Sequence, residues 1–216
     1  MKKRNFIFDF DGVIINSHIV QEKALRTSYD LVVGEGEPPF DDFFNCSGDS
    51  LANIFDKLGL PGTMIPIYRK VSQENSSLIT LYKGMEDIIK KLCENNFSCA
   101  LCTGKDRERT LKILNQFKLE KYFVKVVCSD DIERPKPDSQ SIDKIMSEMC
   151  WDKKDTIMIG DGVNDILAAY NAGVKSIAVT WGECREELLL QYKPDYIAQN
   201  VMMLSKEIDE IIKQID

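Results

Sequence analysis

Histidine is almost missing: His18 is the only one in 216 residues. A zinc site built from several imidazoles is thereby excluded, and a Ser-His-Asp triad would have to rest on that one ring. Positive charge is also in deficit. The 28 Lys+Arg against 35 Asp+Glu leave a formal net charge of -7, and no basic patch follows the short Lys2-Lys3-Arg4 start. A nucleic-acid duplex needs a basic face to displace its counterions, so it is not an expected partner. No apolar run approaches the roughly 18 residues that cross a bilayer, and no membrane partner is expected either. Asp9 and Asp11 interrupt the stretch that would form the apolar region of a signal peptide, which points to the cytoplasm. The 7 cysteines are odd in number and sit in apolar segments, as reduced thiols in a core do. Cys99 and Cys102 have redox-motif spacing, but in an extended strand their odd offset sends them to opposite faces, so they are read as packing residues.

What is present is ordinary globular material, 44% hydrophobic and 29% charged, arranged in an α/β order. Strands are predicted at Asn5–Phe10, Ser98–Cys102, Val124–Cys128, Thr156–Ile159, Ser176–Val179 and Tyr196–Ala198. Helical periodicity marks Met85–Glu94, Arg107–Phe117, Ser139–Met149, Asp165–Ala172, Cys184–Gln191 and Met202–Ile215. From Tyr82 onward the alternation is that of a parallel sheet with helices on its faces. Residues 17–81 break this rhythm. They are mostly helical in pattern, interrupted at Gly34–Pro39 and Gly59–Gly62, and too long to be a loop. The expected organisation is a Rossmann-like core from 1–16 and 82–216 with a helical domain from 17–81 inserted as a cap.

The chemistry-bearing residues gather at strand ends. The first strand runs into Asp9-Phe10-Asp11-Gly12, and in extended chain the two carboxylates share a side. At about 6 Å apart they would repel by roughly 3 kcal/mol at an effective dielectric near 20, so a cation should lie between them. A second acidic pair, Asp161 and Asp165, follows another strand in Gly160-Asp161-Gly162-Val163-Asn164-Asp165. Taken singly, these are turn and N-cap residues. Together, at the carboxyl edge of a parallel sheet, four carboxylates describe a magnesium site for a phosphate ester. Thr103-Gly104 supplies a hydroxyl and backbone N–H groups at a strand-to-helix turn suited to phosphate oxygens. Lys136, in Arg134-Pro135-Lys136-Pro137, adds a cation in a stiff loop. Gly104-Lys105 is not a nucleotide P-loop, because Asp106 stands in the Ser/Thr place; Lys105 itself is read as solvated.

The order Asp-x-Asp, Thr, Lys, Gly-Asp-x-x-x-Asp resembles the haloacid dehalogenase-like hydrolases, specifically the small phosphatases with a helical cap, such as phosphoglycolate phosphatase. The resemblance runs over essentially the whole chain: Asp9 to Val13, Thr103-Gly104, Lys136, and Gly160 to Asp165 match the four motifs. Tyr82-Lys83-Gly84 is similar to the return from cap to core. The third motif usually reads Lys-Pro-x-Pro, so both Lys136 and Arg134 compete for its cation; Lys136 is taken.

The resemblance implies that Asp9 is a nucleophile, Asp11 an acid and base, and Thr103, Gly104 and Lys136 the phosphoryl clamp. It further implies a Mg2+ ion at Asp9, Asp11 and Asp161 with Asp165 in support. Asp11 argues against a dehalogenase or phosphonate hydrolase. A sugar-phosphate mutase is the nearest rival, although such enzymes carry a histidine about where Gln21 stands; a regulatory module without activity is the rival of another class. The expected enzyme is a magnesium-dependent phosphatase acting on a small phosphorylated metabolite, as a monomer or homodimer. In the cap, the Asn45–Asp49 turn is the candidate substrate reader, through Ser47 and Asp49. His18 is read as a polar hinge residue.

Overall fold

The computed structural model describes residues 4–213. Lys2 and Lys3 of the basic start, and residues 214–216 at the end of the last expected helix, lie outside the described residues. The chain begins with β1 (Asn5–Phe8), turns back at Phe10, and forms a two-residue strand β2 (Ile15–Asn16). Four helices follow: α1 (His18–Val32), α2 (Phe40–Asn45), α3 (Leu51–Lys57) and α4 (Met64–Glu74). A second short strand, β3 (Thr80–Leu81), brings the chain back and pairs antiparallel with β2, Ile15 opposite Leu81. The rest alternates α5 (Met85–Glu94), β4 (Ser98–Cys102), α6 (Arg107–Gln116), β5 (Phe123–Val127), α7 (Gln140–Met149), β6 (Thr156–Gly160), α8 (Val163–Ala172), β7 (Lys175–Val179), α9 (Glu186–Gln191), β8 (Tyr196–Ala198) and α10 (Val201–Lys213).

Among the described residues, six strands make one parallel sheet in the order β5-β4-β1-β6-β7-β8. The central strands are short apolar runs, and the two-residue side-chain period sorts each between two covered faces, whereas Val124 and Ile197 on the edge strands β5 and β8 are exposed. Phe6, Phe8, Cys99, Leu101, Ile157 and Ile159 join one buried layer with residues of α5, α6 and α10. Ile7, Ala100, Cys102 and Met158 join the other with α7 and α8. Cys99 and Cys102 therefore lie on opposite faces, as their offset requires. Each fully buried side chain of this size contributes roughly 1.5–3 kcal/mol of transfer free energy.

The sheet order reverses beside β1, and this is where a parallel sheet opens a crevice at its carboxyl edge. The register pairs Phe8 with both Leu101 and Ile159. The ends of β1, β4 and β6 are thus level, and Asp9, Thr103 and Asp161 emerge side by side.

Helices α1 to α4 surround an apolar cluster of their own, including Leu25, Phe43, Ile54, Phe55, Met64 and Tyr68. The two glycine- and proline-containing breaks separate α1 from α2 and α3 from α4. Several boundaries shift by a residue from expectation, and β1, α8 and α9 shift by two. β1 stops at Phe8 because the Phe10 carbonyl accepts from both Ile14 and Ile15 N–H at 3.0 Å, which folds the chain back on itself. α8 begins at Val163 rather than Asp165, with Gly162 as its N-cap; the Asp165 carboxylate accepts from Gly162 N–H at 3.0 Å from inside the first turn. α9 begins at Glu186 rather than Cys184.

Candidate active site

Four residues make a buried charged knot at the sheet edge. Lys136, only 2% exposed, donates to Asp9 Oδ1 at 2.6 Å, to Asp165 Oδ1 at 2.5 Å and to the Cys102 carbonyl at 3.1 Å. Carboxylate oxygens of Asp9, Asp161 and Asp165 lie within 4.8 Å of one another, and all three residues are buried. Burial raises the Asp9 carboxyl well above the usual carboxylate range against the pull of Lys136, and the charges of Asp165 and Asp161 add to the rise. Asp161 is raised likewise by burial, then by Glu183 and Asp165. For Lys136 burial opposes the charge, yet the carboxylates of Asp165 and Asp9 outweigh it and hold the ammonium well above its ordinary value. Arg134 takes no part: its side chain is exposed and pairs with Asp138 at 2.9 Å.

Asp11 stands in front of this knot, half-buried, with Lys105 Nζ 3.2 Å from its Oδ1. The Ser17 hydroxyl donates to the same oxygen, and the Gln21 amide donates to Ser17 Oγ at 2.9 Å. Contrary to the solvated position expected of it, Lys105 is 7% exposed, because its stem packs into the pocket wall and its ammonium meets the half-buried Asp11 carboxylate. Thr103 is buried, and its Oγ1 accepts from Lys105 N–H at 3.2 Å, which leaves its O–H free to donate. Gly104 has a different reason to be glycine: a Cβ there would lie 2.0 Å from the Asp49 carbonyl oxygen. Gly12 combines a positive φ of 74° with a Cβ position 2.1 Å from Asp161 Oδ2.

The turn carrying Ser47 and Asp49 sits directly on the core. Asn164 donates to the Cys46 and Ser47 carbonyls at 3.1 and 3.0 Å, and the Ser47 hydroxyl approaches both Asp161 carboxylate oxygens at 3.4 Å. Asp49 lines the pocket, but its carboxylate is engaged by Ser50 N–H at 2.7 Å, Asn53 Nδ2 at 3.1 Å and Lys57 Nζ at 2.6 Å. Its charge holds the start of α3 rather than facing the pocket as a free group. His18 stacks on Phe44 with ring centroids 4.1 Å apart.

Between core and helical segment lies a pocket whose walls include Asp9, Asp11, Thr103 and Gly104 on one side and Phe43, Leu51, Ile54 and Tyr68 on the other. Lys105, Arg109 and Glu183 also line it. The acids Asp9, Asp11, Asp161, Asp165 and Glu183 face two ammonium groups, Lys105 and Lys136, an excess of three formal negative charges. A set of oxygen donors with that excess fits a hard divalent cation.

Over residues 6–179 the chain matches the family described as haloacid dehalogenase-like hydrolase. It is 31% identical over 204 residues to pyrophosphatase PpaX of Halalkalibacterium halodurans, spanning 93% of this chain and 94% of that one. The crystal structure of a protein described as a predicted phosphatase, from Clostridium acetobutylicum, is similar with a TM-score of 0.86 at 25% identity, covering 96% and 99% of the two chains. A predicted phosphoglycolate phosphatase from Haemophilus somnus shares the fold, with a TM-score of 0.80 at 18% identity and 98% and 99% covered. The motif order, the parallel sheet and these likenesses agree: the chain belongs to the haloacid dehalogenase-like hydrolases, as a phosphatase-type member.

Proposed function

We propose that this protein is a magnesium-dependent phosphatase that cleaves a small phosphorylated metabolite through an aspartyl-phosphate at Asp9. The observation that carries the reading is the Lys136 ammonium bound to both Asp9 and Asp165 behind a pocket that exposes Asp9 and Asp11 to a ligand. Lys136 fixes the Asp9 carboxylate through one oxygen, so the other is directed to phosphorus. As the Asp9 oxygen bonds to phosphorus, the bond to the leaving oxygen breaks and Asp11 gives that oxygen its proton. Asp11, now a carboxylate, takes a proton from water, whose oxygen attacks the same phosphorus and frees phosphate and Asp9. Thr103 O–H and the backbone N–H groups at Gly104 hold the phosphoryl oxygens. Mg2+, when bound by Asp9, the Asp11 carbonyl and Asp161 with Asp165 in support, supplies positive charge to the carboxylates and the phosphoryl group.

In this reading residues 1–16 and 82–216 do the chemistry and 17–81 close over the leaving portion of the substrate. The names of the relatives make inorganic pyrophosphate and phosphoglycolate the first substrates to try. The 7 free cysteines support a cytoplasmic setting, for an enzyme read as monomer or homodimer. The test is release of inorganic phosphate from a panel of phosphorylated metabolites with Mg2+. Release should stop in excess chelator and in a folded Asp9→Asn variant. Isomerisation of a sugar phosphate without release would favour the mutase instead.

A further inference from the structure

We propose that Arg109 reads a second anionic group on the leaving portion of the substrate, a carboxylate or a second phosphoryl group. This rests on the phosphatase reading above and names what the pocket selects. Arg109 is on α6, 7% exposed, and lines the pocket. Its Nε donates to Asp106 Oδ2 at 2.7 Å and its Nη1 to Ser72 Oγ at 3.3 Å. Nη2 has no hydrogen-bond partner among the described residues. Arg69 Nε also lies 3.3 Å from Asp106 Oδ2, so two guanidinium groups share one carboxylate and one positive charge is left over.

The other walls offer no second unpaired cation. Lys105 is paired with Asp11, the Asp49 carboxylate is engaged by α3 and Lys57, and Phe43, Leu51 and Ile54 are apolar. The guanidinium is held in place by Asp106 and Ser72, with the Tyr68 ring 5.8 Å from its carbon. A planar, fixed fork in a partly dry pocket suits a carboxylate or phosphate.

The experiment compares kcat/KM for pyrophosphate, phosphoglycolate and a phosphate ester with a neutral alkyl leaving portion, in wild type, Arg109→Met, Arg109→Lys and Ser72→Ala. The wild type should prefer at least one of the two anionic substrates. Arg109→Met should cut that preference about 10- to 100-fold, the range expected for one charge-assisted hydrogen bond. Arg109→Lys should keep part of it, and Ser72→Ala, which loosens the guanidinium without removing its charge, should lower the same preference by less than Arg109→Met does. A selective loss confined to pyrophosphate, or to the carboxylate-bearing ester, supports the proposal and identifies the group. Equal losses on all three substrates in Arg109→Met would overturn it, as would a wild type with no preference, and both leave the hydrolytic reading standing. If Arg109→Met does not fold, an Arg109→Lys variant that loses activity equally on all three substrates overturns it. A wild type that releases phosphate from none of the three, nor from any member of the wider panel, removes the phosphatase reading and this inference with it.

Discussion

Replacing Lys136 by Met tests whether the charged knot is a stability element as well as a catalytic one. The side chain is one atom shorter and loses its charge, so Asp9 and Asp165 remain buried without their shared partner. One ion pair at 2.6 Å is worth roughly 6 kcal/mol at an effective dielectric of 20, and desolvation of the three groups offsets most of it. Removing one partner from a buried pair nevertheless costs about 3–5 kcal/mol, because the remaining charge has no compensation. That is a large part of the 5–15 kcal/mol that holds a typical domain together. Urea unfolding of metal-free Lys136→Met should therefore show a midpoint far below wild type with an unchanged slope. Arg134→Met supplies the contrast, since its pair with Asp138 is exposed at 63% and 36% of the two side chains and such pairs contribute about 0–1 kcal/mol. kcat/KM should follow the same division. A Lys136→Met protein within about 1 kcal/mol of wild type, or an Arg134→Met protein damaged as much, would refute the reasoning.

Gly104→Ala forces a methyl group against the Asp49 carbonyl, so the turn must lift away; overpacking of this kind costs about 1–3 kcal/mol, and a crystal structure of the variant should show the 46–49 turn displaced from Asn164. Asp131 supplies a pH test away from the site. Burial opposes its ionisation, but Arg107, at 2.9 Å through Nε, and the Cys128 N–H at 2.8 Å hold its pKa below the usual range. Its stabilising contribution is present above the unfolded pKa and lost as pH falls through the lower folded one. Asp131→Asn should thus cost ~1 kcal/mol near neutrality and progressively less below about pH 4, read from thermal melts across pH; a gap that stays constant into acid would contradict the assignment.

Much of the fold was legible because the central strands and the helices packed on them follow their periods. The paired strands β2 and β3 were not, since two residues carry no period. Asp9 and Asp161 could be placed at the sheet edge from sequence because each directly follows a strand, where the sheet itself fixes position; Lys136 lies well beyond the end of β5, and only the family motif pointed to it. Lys105, Arg109 and Glu183 were not legible. Lys105 and Arg109 precede and follow the N-cap of α6, and Glu183 follows β7, in stretches whose local composition is that of a solvated surface; only the packing of α4 against α6 and the closure of the Ser47 turn over the edge turn that surface into a pocket wall. Asp49 shows the reverse. Its place in a polar turn suggested a substrate contact, while its carboxylate spends its hydrogen bonds on the helix it precedes and on Lys57.

The proposed mechanism puts the phosphoryl group on a carboxylate oxygen of Asp9, and chemical trapping addresses that group directly. The enzyme with Mg2+ and a hydrolysed substrate is quenched in acid during turnover and reduced with borohydride, which converts an acyl phosphate of aspartate to homoserine. Peptide mass spectrometry should then find homoserine at position 9 in proportion to substrate, and none when substrate is left out. Hydrolysis at an undiminished rate with no modified residue at position 9, or with the modification at Asp11, would contradict the account.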